Sequence, residues 1–161
     1  MDYIIREMIT GDIEQVQAVA KESWHATYEG IIPREIQQNF LNGAYSDEMM
    51  ERRMENSLML VAEAENTIAG FANFTPVNKQ GQTELSAIYL LPQYQGEGIG
   101  SALLNTGVKK LENLKEIQLD VEKENIIGTA FYKAKGFKTV DEYDENFGSH
   151  ILKTVRMELI L

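Results

Sequence analysis

The segment LSAIYLLPQYQGEGIGSALL, residues 85–104, constrains this chain more than any other stretch. It runs from apolar, β-favouring residues through Pro92 into Gly96, Gly98 and Gly100, and then into a run with helical spacing. Glycines at a strand-to-helix turn let the backbone come close to a ligand, and the helix start offers unpaired N–H groups that suit a phosphate. Several kinds of phosphate binder share that arrangement, so the remainder of the chain has to choose among them.

The flanking periodicities predict a mixed architecture. Residues 3–8 read as a strand, and Ile13, Val16, Val19 and Ala20 mark a helix from Asp12 to about Ser23, with Thr10 or Asp12 at its start. Pro33 opens a second helix over PREIQQNFL, and a polar helix is expected from Ser46 to Met54. The runs LMLVAE and TIAGFANFT flank Glu65-Asn66 as a hairpin, and the strand of the opening segment follows from Glu84 to Leu91. After the glycines, Ile99, Leu103, Leu104, Val108 and Leu111 form a helical stripe. A strand at 117–121 and a helix from Asn125 to Lys135 closed by Gly136 come next, with Ile127, Phe131 and Ala134 as that helix's apolar stripe. Two final strands, 137–143 and 151–161, enclose the polar segment DENFGSH. No repeat or linker interrupts the order, so residues 1–161 are expected to form one α+β domain around a mixed, mostly antiparallel twisted sheet flanked by helices.

At 161 residues and 43% hydrophobic content, the chain can bury one real core. It opens MDYIIREM, without a basic segment leading into an apolar one, and no apolar run approaches the roughly 20 residues a membrane helix needs. A cytoplasmic protein without a membrane partner is expected. The absence of cysteine removes disulfides, thiolate-ligated zinc and covalent intermediates on a protein thiol. A formal charge of −10, from 25 acids and 15 bases, disfavours nucleic acid and favours cationic small molecules or basic peptide ends, although acidity also serves solubility.

One phosphate-loop pattern fails on the residues, and a second, dinucleotide binding, is a near miss. A Walker A loop needs Lys and then Ser or Thr after its last glycine, whereas Gly100 is followed by Ser101 and Ala102. A dinucleotide fingerprint ends in Gly or Ala at the sixth place, where this chain has Ser101, although Asp120 lies at the expected remove. Too little chain follows the loop for the usual further βα repeats.

Downstream, Gln95-Gly96-Glu97-Gly98-Ile99-Gly100 is followed, one helix and one strand later, by DVEKENIIGTAFYKAKGF. Together these resemble the GNAT superfamily of acyl-CoA N-acyltransferases, in the Q-x-x-G-x-G loop and the N…A-F-Y-x-x-x-G-F signature. The resemblance covers nearly the whole chain, with its specific motifs between residues 84 and 137. It implies a GNAT fold and transfer of an acetyl group from acetyl-CoA, a cosubstrate, to a primary amine. No metal is implied, and a homodimer is left open.

The resemblance also implies roles for residues. The amides of Gln95, Gly96, Glu97, Gly98, Ile99, Gly100 and Ser101 would cradle the coenzyme A pyrophosphate, with the Glu97 side chain towards solvent. Main-chain groups of Ile88 and Leu90 would meet the pantetheine arm strand-fashion, and Tyr89 between them either faces the acceptor or packs across the strands. Asn125 and Tyr132 are two helical turns apart and share a face with Gly128, which leaves room for a ligand. Asn125 is read as a helix cap, a coenzyme contact or both. The relatives' pattern gives the phenol of Tyr132 the task of protonating the departing thiolate.

An ammonium cannot attack a thioester, so a base must take its proton. Glu84 and Asp120 are the candidates, against surface placement for each. Without cysteine, attack is direct in a ternary complex, and a main-chain N–H near Leu90 is the natural oxyanion donor. The acceptor is expected to be a small cationic amine, polyamine-like, or else a protein or peptide amine. A noncatalytic acyl-CoA sensor on the same fold is the competing class, and dinucleotide binding is a third that a titration with NAD against CoA would settle. Trp24, His25 and Tyr28, within ESWHATYEGIIP, suit an ammonium through cation–π and charge contacts, while Trp24 and Tyr28 equally suit a buried helical face.

Overall fold

A computed structural model describes residues 2–161. The chain runs β1 (Tyr3–Glu7), α1 (Ile13–Tyr28), α2 (Arg34–Ala44), α3 (Asp47–Asn56), β2 (Leu58–Ala64), β3 (Thr67–Phe74), β4 (Gln82–Leu90), α4 (Ile99–Lys110), β5 (Glu116–Glu122), α5 (Ile126–Ala134), β6 (Lys138–Phe147) and β7 (His150–Ile160). This is an α+β fold in which five helices flank a seven-stranded mixed sheet of order β1-β2-β3-β4-β5-β7-β6. No helix among the described residues is long and apolar enough to cross a membrane.

Local chemistry explains most of the boundaries. Glu65 and Asn66 both take positive φ, 53° and 62°, which matches a two-residue turn to the twist of β2 and β3. The Ser46 hydroxyl caps α3 by accepting from Met49 N at 3.2 Å. Asp12 precedes α1, but its carboxylate is spent elsewhere, on Ile9 N and on a two-pronged pairing with Arg6 at 2.8 and 2.9 Å. Two boundaries depart from the sequence expectation. Helix α1 continues through Trp24 and His25 to Tyr28, and the DENFGSH segment is not a loop. Its first four residues extend β6, Gly148 turns at φ 62°, and His150 starts β7 in register opposite Phe147. The Phe147 ring at the tip lies 5.8 Å from Trp24 and 5.0 Å from Phe40, and that anchorage holds a polar strand end in place.

Every strand pair is antiparallel except β4 with β5, which α4 connects as the crossover. That parallel pairing lasts for three residues, ending at Glu84 opposite Gln118. Beyond it the two strands run on without registered partners between them, while β4 stays paired to β3 up to Leu90. Ser86 bulges out of the β3–β4 ladder, between Leu85 opposite Phe74 and Ala87 opposite Asn73. The sheet therefore opens between β4 and β5 at their C-terminal ends.

The core fills both faces of the sheet. Phe74 presses on Gly107 of α4, where Leu103 and Ile99 are fully buried. Phe71, of opposite parity on β3, faces the aromatic layer of Tyr45 and Tyr89.

Candidate active site

The opening between β4 and β5 is a cleft of about 670 Å³. Its walls are the far half of β4, the glycine loop, the first turn of α4, the end of β5, α5 and the C-terminal turns of α1. Along the edge facing β5, Ile88, Tyr89 and Leu90 have no registered partner strand, so this wall can accept a ligand in the manner of an added strand.

The three glycines do two different jobs. Gly96 and Gly98 hold φ of 81° and 83°, and a Cβ at either would meet nothing within 4 Å. Their requirement is conformational, and the loop they shape leaves its backbone open to the cleft. Ala102 N, bonded to Gly98 O at 3.0 Å, is the first amide the helix satisfies, so those of Ile99, Gly100 and Ser101 point outward unclaimed. Gly100 is glycine for another reason, since a Cβ there would stand 3.3 Å from the Phe131 ring of α5. Gln95 and Ser101 line the cleft, whereas Glu97 is exposed and stands outside the lining. An amide cradle at a helix N-terminus fits a pyrophosphate in charge and in shape.

Asn125 caps α5, its Oδ1 accepting from Gly128 N at 2.9 Å. The cap explains Gly128, because a Cβ there would come within 2.5 Å of the Asn125 amide nitrogen. The expected core stripe of α5 is corrected by the structure. No residue of α5 is buried, and Ile127 is 73% exposed beside Ile126 at 71%. The helix roofs the cleft rather than the sheet, so its apolar surface lines the cleft through Phe131 and both isoleucines.

Three phenols converge on the cleft from three elements: Tyr28 of α1, Tyr89 of β4 and Tyr132 of α5. Burial pushes the Tyr132 phenol well above its ordinary value, and Tyr89 nearby pushes the same way. Burial also raises Tyr89, with the Trp24 indole beside it pulling back, and raises Tyr28, reinforced by Tyr89, Tyr132 and Glu122 and opposed by the Asn125 amide. All three therefore stay neutral across the physiological range. The Tyr132 ring is held edge-on by Phe131 and Phe137, with centroids 5.5 and 5.6 Å away.

The two carboxylates proposed as base are brought together by a residue that the sequence reading missed. Arg156 of β7 lies 3.3 Å from Glu84 and 3.1 Å from Asp120, and its other amino group donates to Gln118 at 2.6 Å. Asp120 lines the cleft and Glu84 does not. Nothing near Arg156 in the sequence marks it, because its partners come from strands far away in the chain.

Glu122, two residues past Asp120, was also missed. It is 7% exposed, Oε1 accepts only from Glu124 N at 3.2 Å, and Oε2 has no partner among the described residues. Burial raises this carboxyl above the usual range. A carboxyl raised in the folded state costs stability as pH rises from its unfolded to its folded pKa, and the cost is complete above both. Glu122→Gln is thus expected to raise Tm at neutral pH, with the advantage fading below the usual carboxylate range. Thermal melts of both proteins from acid to neutral pH check this.

The early helical trio separates. Tyr28 lines the cleft, while Trp24 and His25 do not. Trp24 is 5% exposed, with Phe40 at 4.5 Å and Tyr28 at 4.6 Å between ring centroids. His25 Nδ1 lies 2.8 Å from Gln37 Oε1. The Gln37 amide nitrogen already donates to Tyr28 O and Ile32 O, so its oxygen must accept and His25 Nδ1 carries the hydrogen. Trp24→Ala is expected to cost about 3–5 kcal/mol of stability through the cavity it leaves. Denaturant unfolding measures that loss, and a variant as stable as the parent would remove Trp24 from the core.

Among the described residues no group of three or more His, Asp or Glu is placed to hold a metal ion. Residues 17–137 match the model of the acetyltransferase (GNAT) family. A spermidine N(1)-acetyltransferase of Thermoplasma acidophilum is 32% identical over 155 residues, which is 91% of this chain and 95% of that one. The crystal structure of the PaiA N-acetyltransferase from Thermoplasma acidophilum in complex with coenzyme A superposes with a TM-score of 0.88 at 31% identity over the full length of both chains. The ribosomal-protein-S18-alanine N-acetyltransferase of Escherichia coli shares the fold, with a TM-score of 0.72 at 19% identity over 99% of this chain and 94% of that one.

Proposed function

The chain belongs to the acetyltransferase (GNAT) family and is an acetyl-CoA-dependent N-acetyltransferase, and from that premise we propose that its acceptor is a small cationic amine of the polyamine class. The observation that carries the reading is the acidic side of the cleft, where Asp120 lines the wall and Glu84 stands close by, with Arg156 between them. The spermidine acetyltransferase named above points the same way. The net charge of −10 adds a long-range attraction for cations.

Acetyl-CoA supplies an activated acetyl group as a thioester. The amides of Gln95 to Ser101 bind its pyrophosphate, and Ile88 to Leu90 bind its arm along the free edge of β4. A main-chain N–H near Leu90 donates to the negative charge that develops on the carbonyl oxygen. Asp120, the better placed of the two carboxylates, removes the ammonium proton through water, and Glu84 with Arg156 positions it. Tyr132, kept neutral by burial, returns a proton to the leaving sulfur. With no cysteine in the chain, attack is direct in a ternary complex.

An acceptor screen read by CoA thiol release tests the reading. Polyamines are expected to lead monoamines, neutral amines and peptide N-termini, and added salt is expected to weaken them selectively. A panel in which neutral amines or peptides outperform every polycation overturns it. Absence of thiol release with any amine would point instead to a binding role for the fold.

A further inference from the structure

A chain of formal charge −10 has to hold a polyanion in this cleft. Coenzyme A carries a pyrophosphate and, on its ribose, a 3′-phosphate monoester, which alone holds roughly −1.5 to −2 charges at neutral pH. The amide cradle offers the pyrophosphate partial charges and hydrogen bonds, but no full positive charge. Asp120 and Glu124 line the wall and oppose an anion. Among the described residues, Lys135 is the one lysine or arginine in the lining.

The fold fixes where that cation stands. Lys135 follows the last residue of α5, and its backbone N–H reaches back to Phe131 O and Tyr132 O at 3.1 Å each. Residues four apart share a helix face, so the Lys135 stem returns over Phe131, with Nζ 5.7 Å from the ring centroid. The edge of the same ring faces Gly100 in the first turn of α4, where a Cβ would stand 3.3 Å from it. One aromatic ring thus carries the ammonium on its face and borders the amide cradle with its edge. Lys110, Lys123 and Lys153 each pair with a carboxylate, whereas Lys135 has none within ion-pair distance among the described residues.

We infer that Lys135 binds the 3′-phosphate of coenzyme A and so selects the 3′-phosphorylated coenzyme over its dephospho form. The amides of Gln95 to Ser101 account for the pyrophosphate, which leaves the monoester as the anionic group without a partner. A lysine meets a phosphate as a point charge and needs no planar fit, so an exposed ammonium on a flexible stem suffices. The inference rests on the coenzyme site described above and adds to it the residue that reads the coenzyme's nucleotide end.

Calorimetric titration with coenzyme A and with 3′-dephospho-coenzyme A tests this without any turnover. The parent protein is expected to bind coenzyme A about tenfold more tightly, the worth of one charge-assisted contact, and added salt is expected to narrow the difference. Lys135→Met keeps an apolar stem over Phe131 and drops the charge. It is expected to bind coenzyme A only as tightly as the dephospho form, whose own affinity stays at the parent's value, while Lys135→Arg retains most of the preference. Lys133→Met, on the same helix but outside the lining, is expected to leave both affinities unchanged. Both lysines are exposed, so thermal melts are expected to show every variant folded. Equal affinities in the parent, or a preference that survives in Lys135→Met, overturn the inference. A Lys135→Met protein that loses affinity for both compounds equally places the ammonium on the pyrophosphate, which overturns the 3′-phosphate assignment and leaves the coenzyme site intact. A parent that binds neither compound overturns the coenzyme site and the inference together.

Discussion

Tyr132→Phe is expected to lower the rate of acetyl transfer at saturating substrates by about a hundredfold or more, the usual worth of a positioned acid. The change removes one hydroxyl and leaves the ring against Phe131 and Phe137, so neither packing nor the cleft wall should alter. Coenzyme A affinity is expected to stay within about threefold of the parent, since uniform binding is untouched. Burial is the first cause of its raised pKa, and a neutral phenol is the form that can give a proton to a departing thiolate. Single-turnover kinetics isolate the chemical step from product release. A variant that transfers acetyl at the parent's single-turnover rate would assign Tyr132 to packing and leave Tyr28 or Tyr89, the other two phenols of the cleft, to be tested next.

Gly98→Val is expected to weaken coenzyme A binding by about a hundredfold or more. Gly98 precedes α4 at φ 83°, where a β-branched residue pays roughly 1–2 kcal/mol for the left-handed conformation or else abandons it. Abandoning it turns the amides of the loop and of the first helical turn away from the cleft, and each lost hydrogen bond to a phosphate is worth about 1.5–3 kcal/mol. A Cβ at Gly98 meets nothing within 4 Å, so the helix and core behind it should remain intact and Tm should fall only modestly. Gly100→Val makes the informative contrast. Its backbone is ordinary and its Cβ would push on Phe131, so its effect should reach the coenzyme through a displaced α5 and appear first as lost stability. Calorimetric titration with coenzyme A alongside thermal melts separates the two. A folded Gly98→Val protein with the parent's affinity would remove the loop from the coenzyme site.

The features readable from the residues were those set by a few neighbours in the chain. The Glu65-Asn66 turn, the glycine loop before α4, the Asn125 cap and the helical stripe from Ile99 to Leu111 each depend on local φ and ψ or on one periodicity. The loop motif and the Asn125 to Phe137 signature were enough to assign the family, because both record a backbone shape and its spacing. Asp120 was identified as a carboxylate at a strand end, but the charge it would meet there could not be read locally.

That charge, and the division of labour around it, was decided by the tertiary structure. Arg156 meets Glu84 across 72 residues of sequence because β7 inserts between β5 and β6, an order that no local pattern encodes. The same periodicity that marks Trp24 and Tyr28 as neighbours buries both and leaves open which of them borders the cleft. The rings of Phe40 and Phe147 cover Trp24, while Tyr28, one turn on, reaches the cleft. Helix α5 has the amphipathic pattern of a core helix, yet it roofs the cleft, because the sheet beneath it opens where β4 and β5 stop pairing. No local pattern marks Glu122; burial in the folded chain removes its water and leaves one oxygen without a donor. Chain-local geometry was determined by the sequence alone, whereas desolvation and charge pairing, which set the chemistry of each acid and phenol, depend on which distant residues arrive beside them.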